Sequence, residues 1–289
     1  MNMKPLLSSL LFLSSLLFQP WLMAETLRVD AQWLKQNYDP STMVIVDTRS
    51  TADFESSHIP YAVNLHEELT YQDKKSGGLI APPNVIQEIL RERGIDTDKT
   101  VVVYDDGNLI TAARVFWTLE VYGIKQVRIL NGGFADWQSH GFDVSNTAVK
   151  PKASNYVAHV DHRRIASKFS TRLASINPKQ SLIDARPTSA YRGETSTAKR
   201  FGHIPSAMNI AVHEHFEKQD NNANHLLSLD ALAELYKDVP KDEKVVLYCE
   251  VGTVSSTNYL VLRELGYDVA NYDASWREWG NDLSLPIEK

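Results

Sequence analysis

Cysteine is almost absent from the sequence: Cys249 is the only one among 289 residues. A single thiol cannot form a disulfide within the chain, and it cannot build a metal site from several cysteines. The histidines do not cluster at spacings that suggest another metal site. Three roles remain for Cys249: an inert place in a core, a disulfide with another chain, or a reactive function.

Long apolar runs are absent after the first residues, and the run near the N-terminus is short. It covers residues 6–18, follows Lys4, and is succeeded by Pro20 and then by Ala24. This pattern is typical of a secretory signal peptide over residues 1–24. A membrane anchor is the alternative, but a span needs about 20 apolar residues. We therefore expect a periplasmic or secreted protein that has no membrane contact after cleavage, and a free thiol in such an oxidising compartment favours a functional role.

Basic residues are outnumbered, since 30 Lys and Arg stand against 36 Asp and Glu, for a net charge of −6. Loss of residues 1–24 would remove Lys4 and no carboxylate, and would take the net charge to −7. Such a chain is not expected to bind nucleic acid or an anionic membrane surface. An anionic substrate would have to be held by local hydrogen-bond donors, against the overall field.

The sequence contains an internal duplication. The segment HIPYAVNLH (58–66) returns as HIPSAMNIAVH (203–213), and the longer segments 99–141 and 244–282 also correspond. Three pairs of landmarks keep the same order at a nearly constant separation: His58 with His203, Asp105 with Cys249, and Trp137 with Trp279. From this pattern we predict an N-terminal domain over residues 25–145, a linker over 146–155 and a C-terminal domain over 156–289.

Each half alternates short apolar runs with helical patterns. The apolar runs are typical of buried parallel strands, and they lie at 44–46, 101–104, 182–183 and 245–248. The helical patterns over 112–122 and 256–265 are both followed by glycine, a common helix stop. The sequence therefore predicts an α/β protein of two doubly wound domains, each with a central, mostly parallel sheet flanked by helices.

Cys249 lies directly after an apolar strand in the segment VVLYCEVGTVSS (245–256). Ligands bind α/β sheets at the carboxyl ends of strands, where loop N–H groups and the next helix N-terminus can surround an anion. The same field favours the thiolate, and Gly252 permits the tight backbone path. A thiolate in an anion cradle suits attack on a sulfane sulfur or on a phosphate, and a buried inert cysteine is the alternative.

The paired segments DTR…HIPYAVNL and DAR…GHIPSAMNI, the loop CEVGTV and the C-terminal VANYDASWREW together resemble rhodanese domains. The resemblance covers nearly all of the chain after residue 24. It implies two tandem rhodanese-like domains, of which the N-terminal one lacks a catalytic cysteine and the C-terminal one forms a persulfide on Cys249. Asp105 at the place of Cys249 agrees with this division, because a carboxylate cannot accept sulfane sulfur and would repel an anion.

The sequence departs from the rhodanese pattern at several positions. Tyr61 and Ser206 follow His-Ile-Pro where glycine is common, and Ala274 replaces the glycine usual after Tyr-Asp. The loop lacks the basic residues of thiosulfate enzymes and differs from the Cys-Gly-Ser-Gly-Val-Thr of mercaptopyruvate enzymes. Glu250 would repel a dianion if it pointed inward, and Ala190 stands where a substrate-binding Arg is usual. The choice of thiosulfate or mercaptopyruvate as donor stays open.

The predicted substrate-binding residues belong to the cysteine loop and to the arginines near it. They are Arg186, Arg192, Glu250, Val251, Gly252, Thr253 and Val254. Arg186 either contacts the substrate or pairs with Asp184 and holds the rim of the site, whereas Lys199 and Arg200 are interpreted as a solvated loop.

Some residues recur in both halves and are interpreted as structural. His58 and His203 recur in the half without cysteine as well, which favours a turn role for both. Trp137, Trp276 and Trp279 at the domain ends are interpreted as packing residues.

These observations predict an exported sulfurtransferase that works by double displacement through Cys249. Its partners would be a small-molecule sulfur donor and a thiophilic acceptor such as cyanide or a thiol, and it would need no metal or organic cofactor. The oligomeric state is not predicted. A cysteine phosphatase is disfavoured because residues 250–256 contain no Arg to grip a phosphate. A sulfur carrier that loads once without turnover remains an alternative.

Overall fold

A computed structural model describes residues 26–73, 78–217 and 223–289. The predicted signal peptide, residues 1–24, lies outside the described residues. Among the helices of the described ranges, none has both the length and the apolar character needed to cross a membrane.

The N-terminal half is built on a five-stranded sheet with the order β1-β5-β4-β2-β3, in which all neighbouring strands are parallel. Its strands are β1 (Arg28–Val29), β2 (Met43–Asp47), β3 (Val63–Asn64), β4 (Thr100–Tyr104) and β5 (Val127–Leu130). Its helices are α1 (Ala31–Asn37), α2 (Thr51–Ser56), α3 (Pro83–Glu92), α4 (Ile110–Val121) and α5 (Gly133–Ser139), with a 3-10 turn at Glu67–Thr70.

The C-terminal half repeats this plan, with the strand order β6-β12-β11-β7-β8 and only parallel pairs within that sheet. The strands are β6 (Ile165–Ala166), β7 (Gln180–Asp184), β8 (Met208–Asn209), β11 (Lys244–Tyr248) and β12 (Val269–Tyr272), with the hairpin strands β9 (Phe216–Glu217) and β10 (His225–Leu226) outside it. The helices are α6 (Lys168–Ala174), α7 (Thr188–Tyr191), α8 (Leu229–Leu235), α9 (Ser255–Glu264) and α10 (Ser275–Trp279), with a 3-10 turn at Val212–His215. The predicted fold class, two parallel-sheet α/β domains, is confirmed.

Local sequence signals account for the central elements of both halves. The middle strands β4 and β11 are buried on both faces, as expected for apolar runs in a parallel sheet. Helices α4 and α9, which follow them, stop at Gly123 and Gly266, whose φ angles of 86° and 83° lie in the left-handed region that glycine enters without strain.

The two halves share one interface, in which α4 of the N-terminal half packs against α9 of the C-terminal half. Apolar residues of both helices belong to one buried cluster, including Phe116 and Leu260. The Glu120 carboxylate accepts hydrogen bonds from Arg263 Nε at 2.9 Å and Nη2 at 3.0 Å across this interface. The helix that follows the cysteine loop is therefore held directly by the half that lacks a cysteine.

The connection between the halves runs along the N-terminal one. The Ser154 hydroxyl donates to the carbonyl of Ile95 at 2.6 Å, and the Asp161 N–H donates to the carbonyl of Val121 at 2.7 Å. The predicted boundaries at residues 145 and 155 stay a prediction.

Two of the departures from the rhodanese pattern have a structural signature. Tyr61 and Ser206 adopt φ angles of 69° and 67°, so the fold keeps the left-handed turn although neither residue is glycine. Ala274 has a φ of −70° and needs no glycine.

Candidate active site

Cys249 is the first residue after β11 and opens the loop that leads into α9. It is fully buried, with its backbone N–H donating to Ser275 Oγ at 3.1 Å. The Ser255 hydroxyl lies 3.4 Å from Cys249 Sγ and 2.8 Å from Asn271 Oδ1. Because one hydroxyl proton serves two acceptors, Ser255 can donate to Asn271 when the thiol is neutral and turn to the sulfur when it is ionised.

The carbonyl groups of the loop are held from outside by hydrogen-bond donors. The carbonyls of Cys249 and Glu250 accept from the backbone N–H groups of Trp276 and Arg277, each at 3.0 Å. In a planar trans peptide the N–H points opposite to the C=O. The peptides after Cys249 and Glu250 are therefore fixed with their N–H groups on the other side.

Gly252 occupies the tightest point of the loop. Its φ of 76° is left-handed, and a Cβ there would lie 2.5 Å from the carbonyl oxygen of Asp273. Its own carbonyl accepts from Asn271 Nδ2 at 2.9 Å, Ser256 Oγ at 2.9 Å and Arg114 Nη1 at 3.1 Å. Both the conformation and the space at this position require glycine.

The loop N–H groups lack an acceptor within the part of the chain that the structure describes. Within the described ranges, the backbone N–H groups of residues 250–254 have no hydrogen-bond acceptor. They lie at the N-terminus of the ten-residue helix α9, where unpaired N–H groups carry partial positive charge. This set of donors next to a thiol is suited to bind an anion.

The corresponding loop of the N-terminal half already holds an anion of its own. The Asp105 carboxylate, which follows β4 as Cys249 follows β11, accepts from the N–H groups of Gly107 at 3.0 Å, Leu109 at 3.1 Å and Ala112 at 3.2 Å. Burial raises the pKa of Asp105 to about 6, against the lowering effect of these N–H donors. The loop after the middle strand thus binds a carboxylate in one copy and begins with a thiol in the other.

The structure brings the predicted loop residues together around Cys249. Val251, Thr253 and Val254 are half-buried, and Gly252 is buried. The half-buried Glu250 accepts a hydrogen bond from the hydroxyl of Thr197, which ties its carboxylate to the loop over residues 192–202.

Arg186 is buried and forms a fork with Asp184, with Nη2 2.6 Å from Oδ2 and 2.8 Å from the carbonyl of Gly202. Burial lowers the pKa of its guanidinium, but hydrogen bonding and charge from Asp184 outweigh it and the pKa is raised. Arg49 makes the same fork with Asp47 in the half without cysteine, at 2.7 Å. This repetition supports the pairing alternative, and a substrate contact by Arg186 stays a prediction.

The other basic candidates lie in different settings. Arg192 is exposed and ends α7, next to Ala190, while Lys199 is exposed. Arg200, interpreted from the sequence as solvated, instead donates to the carbonyls of Trp279, Gly280, Asp282 and Leu285, and so fastens the C-terminal segment.

His58 and His203 have matching environments in the two halves. His58 Nδ1 lies 2.7 Å from the carbonyl of Phe54 and stacks on its ring, and His203 does the same with Tyr191 at 2.9 Å. These contacts fit the turn role predicted for both.

Sequence reasoning missed several residues that shape the site. They are Arg114, Ser255, Asn271, Asp273 and Ser275. Arg114 carried a usable signal, because it is a lone charge within the apolar first turns of α4. The others are common polar residues whose roles depend on which strand ends meet.

Substitution of Asp105 is expected to change the pH dependence of stability. Because its folded pKa lies above the ordinary value of 3.8, the ionised form costs stability at pH 7 and this cost fades as the pH falls towards 4. The difference in unfolding free energy between Asp105→Asn and wild type should therefore shift in favour of the variant by about 2 kcal/mol from pH 4 to pH 7. Denaturant unfolding at both pH values measures it, with the exposed Asp106→Asn as control, and a pH-independent difference would contradict it.

A matched pair of variants separates the two roles of Arg186. Arg186→Lys loses a buried guanidinium fork and Arg49→Lys a half-buried one, so each should lower the unfolding free energy by about 1–3 kcal/mol. If pairing is the role, the Michaelis constant for the sulfur donor changes less than threefold in both variants. A rise of tenfold or more that is confined to Arg186→Lys would establish a substrate contact.

Comparison with known proteins agrees with this geometry. The Rhodanese-like domain matches residues 30–140 and 166–282. A Mycobacterium leprae protein named "Putative thiosulfate sulfurtransferase" is 33% identical over 273 residues, which cover 90% of this chain and 96% of that protein. The 3-mercaptopyruvate sulfurtransferase of Escherichia coli is 30% identical over 285 residues, covering 92% of this chain and 99% of the relative.

Solved structures share the fold. The crystal structure of SseA from Escherichia coli superposes with a TM-score of 0.77 at 28% identity, covering 87% of this chain and 99% of that one. An anaerobic ergothioneine biosynthesis enzyme from Chlorobium limicola has a TM-score of 0.80 at 21% identity, over 91% of this chain and 70% of that one, a likeness of fold alone. With two matched domains and relatives that align over nearly their whole length, the chain belongs to the rhodanese family.

Proposed function

We propose that the protein is a sulfurtransferase that moves sulfane sulfur from a donor such as thiosulfate to a thiophilic acceptor through a Cys249 persulfide. Relatives named thiosulfate and 3-mercaptopyruvate sulfurtransferase support the reaction class. The observation that carries the mechanism is the pair of equivalent loops. One holds the carboxylate of Asp105 with its N–H groups, and the other has the thiol of Cys249 beside N–H groups that lack an acceptor among the described residues.

The reaction is a double displacement. The Cys249 thiolate attacks the outer sulfur of thiosulfate, a new S–S bond forms, and sulfite leaves with the electron pair of the broken bond. Cyanide or a thiolate then attacks the outer sulfur of the persulfide and takes it. The Cys249 thiolate leaves with the bonding pair, so no oxidant or reductant is consumed.

The loop and Ser255 stabilise the charges of both steps. The N–H groups of residues 250–254 can bind the anionic persulfide and the departing oxyanion, and the Ser255 hydroxyl can donate to the thiolate. Since Cys249 is fully buried, a donor reaches the sulfur only when side chains around the loop move. The mechanism uses no metal or organic cofactor.

Export and the choice of donor complete the proposal. The basic and apolar start over residues 1–24 supports a periplasmic or secreted location. The donor is a small molecule with a transferable sulfur. The second candidate is 3-mercaptopyruvate, because the Escherichia coli relative, which aligns over 99% of its length, is named 3-mercaptopyruvate sulfurtransferase.

Mass spectrometry of the intact protein tests the persulfide. After incubation with thiosulfate and removal of excess donor, wild type should gain the mass of one sulfur atom, which cyanide removes, and should turn over repeatedly with excess acceptor. Cys249→Ser should keep the fold but lose loading and turnover, because a hydroxyl is no sulfur nucleophile. Loading of Cys249→Ser would contradict the mechanism, and a single turnover in wild type would favour the carrier alternative.

If its carboxylate, which accepts from the Thr197 hydroxyl, faces the loop N–H groups, Glu250 should weaken the binding of dianionic donors; if it faces away, substitution of Glu250 should change little. A unit charge pair about 6 Å apart costs about 3 kcal/mol at an effective dielectric near 20 before salt screening. Glu250→Gln should therefore lower the Michaelis constant for thiosulfate by up to tens-fold, and less for monoanionic mercaptopyruvate.

Kinetics at fixed ionic strength measure this effect. Glu243→Gln is the matched control, because it removes the same charge at the opposite end of β11. A higher thiosulfate Michaelis constant in Glu250→Gln, or the same gain in the control, would refute the electrostatic role.

A further inference from the structure

Arg114 is a fully buried charge that belongs to the half without a cysteine. It lies on α4, and its side chain crosses the interface towards the loop between β11 and α9. Its guanidinium packs over the ring of Trp117 at 4.4 Å and lies 5.3 Å from that of Tyr71. An arginine removed from water in this way needs partners, and two of its three partners belong to the C-terminal half.

The guanidinium of Arg114 joins three separate segments. Nη1 lies 3.1 Å from the carbonyl oxygen of Gly252 and 2.9 Å from Asp273 Oδ1, and Nη2 donates to the carbonyl of Gly78. The other carboxylate oxygen of Asp273 accepts from the N–H of Ile80 at 2.7 Å. Two parts of the N-terminal half, residues 78–80 and α4, thus contact the C-terminal half around the Arg114–Asp273 ion pair. The loop that begins with Cys249 is held there through the carbonyl of Gly252.

The charge of Arg114 is balanced by Asp273, so it is not a free cation for a substrate. Its consequence for the site is geometric. By drawing the carbonyl of Gly252 towards itself, together with Asn271 and Ser256, it fixes the plane of the Gly252–Thr253 peptide. In a trans peptide this turns the Thr253 N–H to the opposite side, where it is among the loop donors that have no acceptor within residues 26–73, 78–217 and 223–289.

We propose that Arg114 is a positioning residue of the sulfurtransferase site: the N-terminal half uses it to hold the Gly252–Thr253 peptide with its N–H available to the anion at Cys249. The proposal rests on the proposed function insofar as that loop is an anion cradle. Glycine at 252 gives this peptide more rotational freedom than another residue would, so the Arg114 contact adds to the restraint from Asn271 and Ser256.

Selective alkylation of Cys249 tests the geometry apart from turnover. Iodoacetate is an anion and iodoacetamide is its neutral analogue, so the ratio of their rates at the single thiol reports the anion-binding power of the loop. Arg114→Met should lower this ratio at least tenfold. Arg114→Lys should give an intermediate ratio, because one ammonium group cannot serve all three acceptors.

The control is Arg263→Met, which breaks the ion pair with Glu120 in the same α4–α9 interface but does not touch the loop. It should lower stability and leave the ratio within twofold of wild type. The same split should appear in kinetics with thiosulfate, where kcat/KM falls at least tenfold for Arg114→Met relative to Arg263→Met.

An unchanged ratio in folded Arg114→Met would overturn the proposal, as would an equal drop in Arg263→Met. If Arg114→Met does not fold, Arg114→Lys carries the test, and a wild-type ratio in that folded variant overturns it. If Cys249 of wild type reacts with neither reagent, small molecules do not reach the loop, and the proposal for Arg114 is refuted. If the ratio falls in Arg114→Met as expected but wild type does not take up sulfur from thiosulfate, the persulfide mechanism is refuted and the positioning role of Arg114 is supported.

Discussion

The carbonyl oxygen of Gly252, in the loop after Cys249, accepts hydrogen bonds from both halves of the molecule. Three donors converge on it, two from the C-terminal half and one, Arg114, from the N-terminal half. Because peptide groups are planar, fixing this oxygen also fixes the direction of the next N–H. The α4–α9 interface and the Arg114–Asp273 ion pair give the N-terminal half a part in the site although it has no cysteine.

Duplication left two loops at the same place in the fold, after the middle strand of each sheet, with two uses. In the N-terminal loop the side chain of Asp105 accepts hydrogen bonds from the N–H groups of Gly107, Leu109 and Ala112. In the C-terminal loop the equivalent place holds a thiol, and the N–H groups stay available to an anion that arrives with the substrate. The residue at the carboxyl end of the middle strand is a carboxylic acid in the first loop and a thiol in the second, and the residues that follow it differ as well.

Much of this arrangement could be predicted from the sequence. The repeat of His58 and His203, the buried runs before Asp105 and Cys249, and the glycines after α4 and α9 fix the topology through local rules of burial and helix termination. The Arg114–Gly252 contact could not be predicted, because it joins residues 138 positions apart and depends on how two domains pack. The prediction that Arg200 lies in a solvated loop is wrong for the same reason, because the carbonyls that accept from it belong to a segment about 80 residues later in the chain.

The most direct measurement of the central claim is a crystal structure of the protein after incubation with thiosulfate. The account predicts one additional sulfur bonded to Cys249 Sγ, within hydrogen-bond distance of N–H groups from residues 250–254, and no bound anion in the loop of Asp105. Thiosulfate or sulfur bound elsewhere with Cys249 unmodified, or a persulfide whose outer sulfur faces away from those N–H groups, would contradict it.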